Sequence, residues 1–256
     1  MSEPETGRYL YAVCRGLDPA VVREVTALYA APLELVAHQD LAAVVSTVPM
    51  AVFGEEALRR NLEDMTWLED VVRLHDDVVR AVAVRAPTAP MRLATVCFDD
   101  AAVRARLRAM YIDLSHVLDR VEGCSEWSVK VLAPPDELAE AQVAAAAPSS
   151  GADYLRRKQT EARRRATRDD SAADAAARIH DELARLSRAS RRLPPQDPRL
   201  SGLRGTMVLN AAFLVPDADR ASFATLLDQL RADGGEVVVD ARGPWPPYSF
   251  AMLDAR

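Results

Sequence analysis

Lysine is nearly missing from this chain. Only Lys130 and Lys158 break an otherwise arginine-only set of 32 basic residues, and histidine (4), cysteine (3) and aromatic side chains (5%) are scarce as well. Each scarcity excludes something. Cys14, Cys97 and Cys124 are odd in number, widely spaced and in no CxxC pair, so neither a disulfide framework nor a zinc site is expected. His38, His75, His116 and His180 are scattered without a second histidine at ligand spacing, which removes the usual metal pattern. There is no nucleophile elbow, phosphate loop, GxGxxG or HExxH motif. No apolar run approaches the roughly 20 residues that span a bilayer, and residues 1–7 lack the basic and apolar regions of a signal peptide. A cytoplasmic protein without membrane contact is the expectation. The net charge of −6 and pI near 5.4 argue against nucleic acid as a partner, because neutralising phosphates needs a basic surface.

What remains is a chain of 256 residues with 49% hydrophobic and 27% charged residues, a globular composition for which two domains are the better prior. Tyr9 to Cys14 reads as a strand, and Asp18-Pro19 opens a helix as N-cap and first-turn proline. Leu33 to Ala37 and Leu41 to Thr47 read as a hairpin around His38-Gln39-Asp40. One long helix follows from Gly54 to the prolines at 87 and 90. It carries two apolar stripes, Leu58, Leu62, Met65, Leu68, Val72, His75, Val79, Val82 and Trp67, Val71, Leu74, Val78. Met91 to Phe98 is the fourth strand, and Asp99 to Arg120 a closing helix. The order is βαββαβ, that of a ferredoxin-like sandwich, over residues 1–122.

The second domain, 123–256, repeats that order with an enlarged first crossover. It starts with a strand at Glu126 to Leu132 and a helix from Asp136 to Ala147. A linker-like tetrad, Pro148 to Gly151, leads into one charged helix over 152–190. Arg191 to Leu193 begins a short strand, Met207 to Val215 is a strand of buried length, Asp219 to Ala232 an amphipathic helix, and Glu236 to Asp240 the last strand. The fold class expected is therefore α+β, two ferredoxin-like units with extra helices.

After that strand comes Gly243-Pro244-Trp245-Pro246-Pro247-Tyr248-Ser249-Phe250. Its prolines exclude ordinary helix and central strand, and hold Trp245 and Pro246 near polyproline II with Trp245 and Tyr248 on one side. A clamp folded back over the second sheet is the first reading, a docking element for a partner the second. His75 is the best single catalytic candidate, but a hydrogen-bonded core histidine is the commoner case, and Asp76 beside it points about 100° away. Arg157, Glu161, Arg164 and Arg168, at steps of three or four, form a charged helix face suited to an acidic or amphipathic partner.

The segments Tyr9 to Ala12, Trp67 to His75, Glu126 to Val131, Leu209 to Val215 and above all Gly243 to Phe250 resemble the gas vesicle protein F/L family nearly end to end. Leu93 and Ala94 depart from it, since the resemblance leads one to expect an aromatic and a glycine there. It implies an accessory protein of gas vesicle assembly, chaperone-like or a minor structural component. Such a protein is cytoplasmic or on the vesicle, and binds the small hydrophobic shell protein and other accessory proteins. No enzymatic activity and no cofactor are implied. Trp245, Tyr248, Phe250, Arg157, Arg164 and Arg168 become the partner-binding candidates. The alternative is a small-molecule-binding or enzymatic protein with His75 or the arginine-rich helix at its site.

Overall fold

In the computed structural model, residues 5–134, 151–196, 205–233 and 237–251 are described. The expected helix over 136–147, most of the 148–151 tetrad and the turn at 234–235 lie outside them. The chain divides into two compact units, residues 1–125 together with 245–256, and residues 126–244. The first boundary differs by three residues from the one expected. The second is a correction: the terminal segment, placed by sequence with the second domain, clusters with the first.

The first unit is built on β1 (Thr6–Arg15), β2 (Leu33–His38), β3 (Leu41–Pro49), β4 (Thr88–Pro90) and β5 (Val96–Cys97), in the order β2-β3-β1-β4 with β5 also on β1. The β1–β3, β2–β3 and β1–β4 pairs are antiparallel. Register slips between Leu10 and Ala12 of β1. Such a bulge lets two consecutive side chains point the same way, and Tyr11 and Ala12 both enter one core cluster with Tyr9, Cys14, Val44 and Val48. That cluster is closed by α1 (Pro19–Arg23) and α4 (Met65–Ala83) through Val22, Val71, Val78, Val79 and Val82. Leu10, Val13, Ala43 and Val45, which alternate with those positions, are buried too. Helices α5 (Asp100–Ala109) and α6 (Tyr111–Val121) pack against these strands with Val103, Leu107, Leu114 and Leu118 buried.

Three expected elements differ. The single helix from Gly54 is two, α3 (Glu55–Asn61) and α4, preceded by a short α2 (Met50–Phe53), because Asp64 starts a new helix by accepting from Thr66 N (3.0 Å) and Trp67 N (3.3 Å). The closing helix is likewise two, broken at Met110. Of the strand expected over 91–98 only β5 is present; the chain pairs with β1 earlier, as β4, and turns between the two with Ala94 at φ 59°.

The second unit holds β6 (Cys124–Ala133), β7 (Ala189–Arg192), β8 (Thr206–Pro216) and β9 (Val238–Trp245), in the order β7-β8-β6-β9, with α7 (Gly151–Arg185) and α8 (Arg220–Ala232). Ala172, Ala176, Ile179 and Leu183 recur every three or four residues and bury one face of α7. Ala176, Ile179 and Leu183 join Phe213, Phe223 and Leu227 in a common core. Strand β9 runs further than expected, through Gly243 and Pro244 to Trp245. It does so as an edge strand, where a residue without an N–H is tolerated. Glycine is required at 243, since a Cβ there would lie 2.9 Å from the Glu126 oxygen and from the Trp127 ring.

Left-handed backbone costs an L-residue about 1–2 kcal/mol, less what glycine loses in the unfolded chain. Ala94→Gly is therefore expected to raise unfolding free energy by about 0.5–1 kcal/mol in urea denaturation; an unchanged or lowered midpoint would show that the turn is not strained.

Candidate partner-binding surfaces

His75 sits on the core side of α4, 4% exposed. Its Nδ1 lies 3.0 Å from the Tyr9 hydroxyl, which also accepts the Ala94 N–H at 3.1 Å. With Nδ1 unprotonated, Tyr9 donates to it, and one hydroxyl ties β1, α4 and the 91–95 turn together. Tyr11 and Phe53 pack on the Tyr9 ring at 4.7 and 5.5 Å between centroids. Burial pushes the His75 imidazole down to about 4, against a smaller opposing pull from Asp76. A neutral, enclosed, hydrogen-bonded histidine holds the core together.

A shallow cleft of about 470 Å³ lies beside β1, lined by Arg8, Glu34, Thr47, Phe98 and Asp100 among others. Sequence reading missed it, because Arg8, Glu34 and Asp100 are far apart along the chain and carry no motif. The Arg8 guanidinium bonds Glu34 (2.7 Å), Asp100 (2.7 Å) and Thr47 (2.8 Å). The hydrogen bond it donates to Glu34 is the largest cause holding its pKa above the usual arginine value, with burial opposing. The cation is neutralised within the fold, so the cleft is a braced corner of the sheet.

The terminal segment reaches α4. Tyr248 donates to Asp76 Oδ1 at 3.0 Å, and Arg80 lies over the Trp245 ring at 4.2 Å. Asp76 and Arg80, four residues apart on one helix face, pair with each other. Trp245 and Tyr248 thus grip two successive turns of α4, while Pro246, Pro247 and Phe250 are buried and α9 (Tyr248–Ala251) ends the description. Burial, then the charge on Asp76, raises the Tyr248 pKa and keeps the phenol protonated. The clamp is made on α4 of the first unit, and the earlier expectation that it covers the second sheet is corrected. Of the aromatic candidates, Phe250 is enclosed and the other two are half-buried and engaged.

Helix α7 behaves differently along its length. From Leu155 to Asp170 every side chain is exposed except Arg168, which is half-buried. Only beyond it does the helix bury a face. Among these sixteen residues seven are basic and three acidic, in a chain whose net charge is −6. Arg157 and Arg164 stand exposed on this arm. Arg157 and Arg168 also have interactions within the fold. No group of histidine, cysteine and carboxylate side chains suited to a metal ion occurs among the described residues.

These features define a two-unit mixed α/β protein with a braced core and an exposed basic helix. The sequence profile of the gas vesicle synthesis protein GvpL/GvpF family matches residues 7–252, and the chain belongs to that family. It is 42% identical to gas vesicle protein L of Streptomyces sp. (strain CB03234) over 96% of this chain and 93% of that one. It is 28% identical to gas vesicle protein L2 of Halobacterium salinarum over 96% and 91%. The fold is similar to the crystal structure of gas vesicle protein GvpF from Anabaena sp. PCC7120, with a TM-score of 0.70 and 19% identity over 98% of both chains.

A histidine whose folded pKa lies below its unfolded value stabilises most when neutral, so stability falls as pH drops from about 6.5 towards 4. His75→Gln is expected to lose that dependence. The stability gap between wild type and variant should narrow by about 2–3 kcal/mol between pH 7 and 4.5 in urea denaturation, and a constant gap would place the charge change elsewhere. Trp245→Ala removes a half-buried ring and its arginine contact and is expected to cost about 2 kcal/mol at pH 7. A cost near zero would mean that the clamp contributes nothing to folding.

Proposed function

We propose that this protein is a non-catalytic accessory factor of gas vesicle assembly, acting in the cytoplasm or at the growing vesicle. It binds the small hydrophobic shell protein and other accessory proteins, as a chaperone-like factor or minor structural component. The observation that carries the reading is the basic arm of α7, in which Arg157, Arg164 and the half-buried Arg168 recur at helical spacing beyond the part of the helix that packs. An exposed cationic helix face suits an acidic or amphipathic segment of another protein. The family match supplies the context. A contact made through Trp245, Tyr248 and Phe250 is less well supported, since all three serve the fold. Identity of 42% to the Streptomyces L protein, against 26% to the F protein of the same strain, favours an L-type member. Both sheets carry strand orders that fit ferredoxin-like units. The alternative of an enzyme centred on His75 has the enclosed imidazole against it. No helix among the described residues is long and apolar enough to cross a membrane.

Exposed charge pairs are screened by salt. Capture of shell protein and accessory proteins by the immobilised chain is therefore expected to weaken as salt rises. It should fall at least about tenfold in Arg157→Glu/Arg164→Glu, a loss of about 1.4 kcal/mol of binding, with unchanged melting temperature. Equal capture by this variant would remove the arm from the contact. Normal vesicles in a strain lacking the gene would remove the assembly role itself.

A further inference from the structure

Helix α4 carries one pattern twice. Asp76, Val79 and Arg80 lie seven residues after Glu69, Val72 and Arg73. Seven residues are nearly two turns, so the two sets share a flank, drifting by only about 20° and separated by about 10 Å along the axis. At the second set the flank is covered: Val79 is fully buried, Tyr248 bonds Asp76 and Trp245 lies under Arg80. At the first set it is bare. Val72 is 45% exposed, and Met65, one more heptad back, is 72% exposed with Leu62 beside it at 42%. Glu69 is exposed and has no partner among the described residues, while Arg73 turns back to Asp70 at 3.0 Å. The apolar stripe read from the sequence thus continues past the core into solvent, with its acid and its arginine still beside it.

We propose that Leu62, Met65 and Val72, with Glu69 and Arg73, form a docking site for a segment of another polypeptide that presents a tyrosine or tryptophan side chain. The ring lies against Met65 and Val72, its O–H or N–H donates to Glu69, and Arg73 leaves Asp70 to cover the ring face. The chain's own terminal segment is the physical precedent, because two turns further on one of its rings, Tyr248, donates to the acid and another, Trp245, lies under the arginine, and both are already committed there. An apolar ridge alone would accept any greasy surface. The repeated acid and arginine select an aromatic ring with a donor. This site is separate from the basic arm, and it stands or falls independently of the partner proposed for that arm.

The test uses the full chain with labelled methionine and valine methyl groups, titrated with the synthetic peptide Gly-Pro-Trp-Pro-Pro-Tyr-Ser-Phe as probe. Saturable shifts of the Met65 and Val72 methyls are expected, with a dissociation constant on the order of 1 mM or tighter. Binding should weaken at least about tenfold in both Val72→Asp and Glu69→Arg. Both positions are on the surface, and an unchanged melting temperature shows that the variants fold. Four results overturn the proposal: no saturable shift at Met65 and Val72; shifts confined to Val79, which would mean exchange with the chain's own segment; unweakened binding by either variant; or equal binding of a peptide with Trp and Tyr replaced by Ala, which would make the ridge a generic apolar surface.

Discussion

The hydroxyl of Tyr9 is the group on which the first unit depends. A phenol buried without a partner is costly, and this one has two, the Ala94 N–H and the His75 ring. Those partners come from a turn and a helix that the strand does not adjoin in sequence. Satisfying one polar atom therefore fixes where α4 crosses the sheet and how the chain returns between β4 and β5. Tyr11, two residues on and in the same cluster, brings a second phenol that meets Ser46 at 2.8 Å and Leu28 N at 3.1 Å, and the bulge keeps Ala12 and Cys14 on that side of the strand. Polar groups at the centre of an aromatic cluster make the packing specific where hydrophobic burial alone would permit several arrangements.

Helix α4 has one long flank and two fates for it. The core side is filled by valines and His75, and the adjoining flank is shared between the protein's own C-terminus and solvent. The same side-chain types thus serve folding on one pair of turns and remain available on the preceding pair. Charge is handled in a similar way. Arg8 and Arg15 are consumed by carboxylates within the first unit, whereas the basic residues of α7 are gathered where the helix has stopped packing.

Much of the fold was legible from local pattern. The runs around Tyr9, Leu33 and Leu41, the Asp18-Pro19 cap and the long charged helix α7 all follow from residue types and spacing, and the structure has them. Breaks were harder to read. Apolar periodicity continues through Leu62, Met65 and Leu68, so the new start at Asp64 is marked only by one capping side chain. Met91 to Phe98 reads as a strand, but the turn at Ala94 is held from outside by Tyr9. The departure from the family pattern at Leu93-Ala94 was a usable signal there, since a position where glycine is expected is one where backbone φ turns positive. The terminal segment shows the same limit. Its prolines, read alone, excluded helix and central strand across 243–247, yet its docking on Asp76 and Arg80 depends on residues more than 160 positions away.

The division of the chain makes the second unit an insertion: residues 126–244 interrupt a unit begun at the N-terminus and completed by residues 245–256. Synthesis runs from the N-terminus, so the strands and helices of the first unit emerge long before the residues that cover the end of α4. Residues 245–251 are the last described part of the first unit to be made, and α4 gains its Tyr248 and Trp245 contacts only once they are in place.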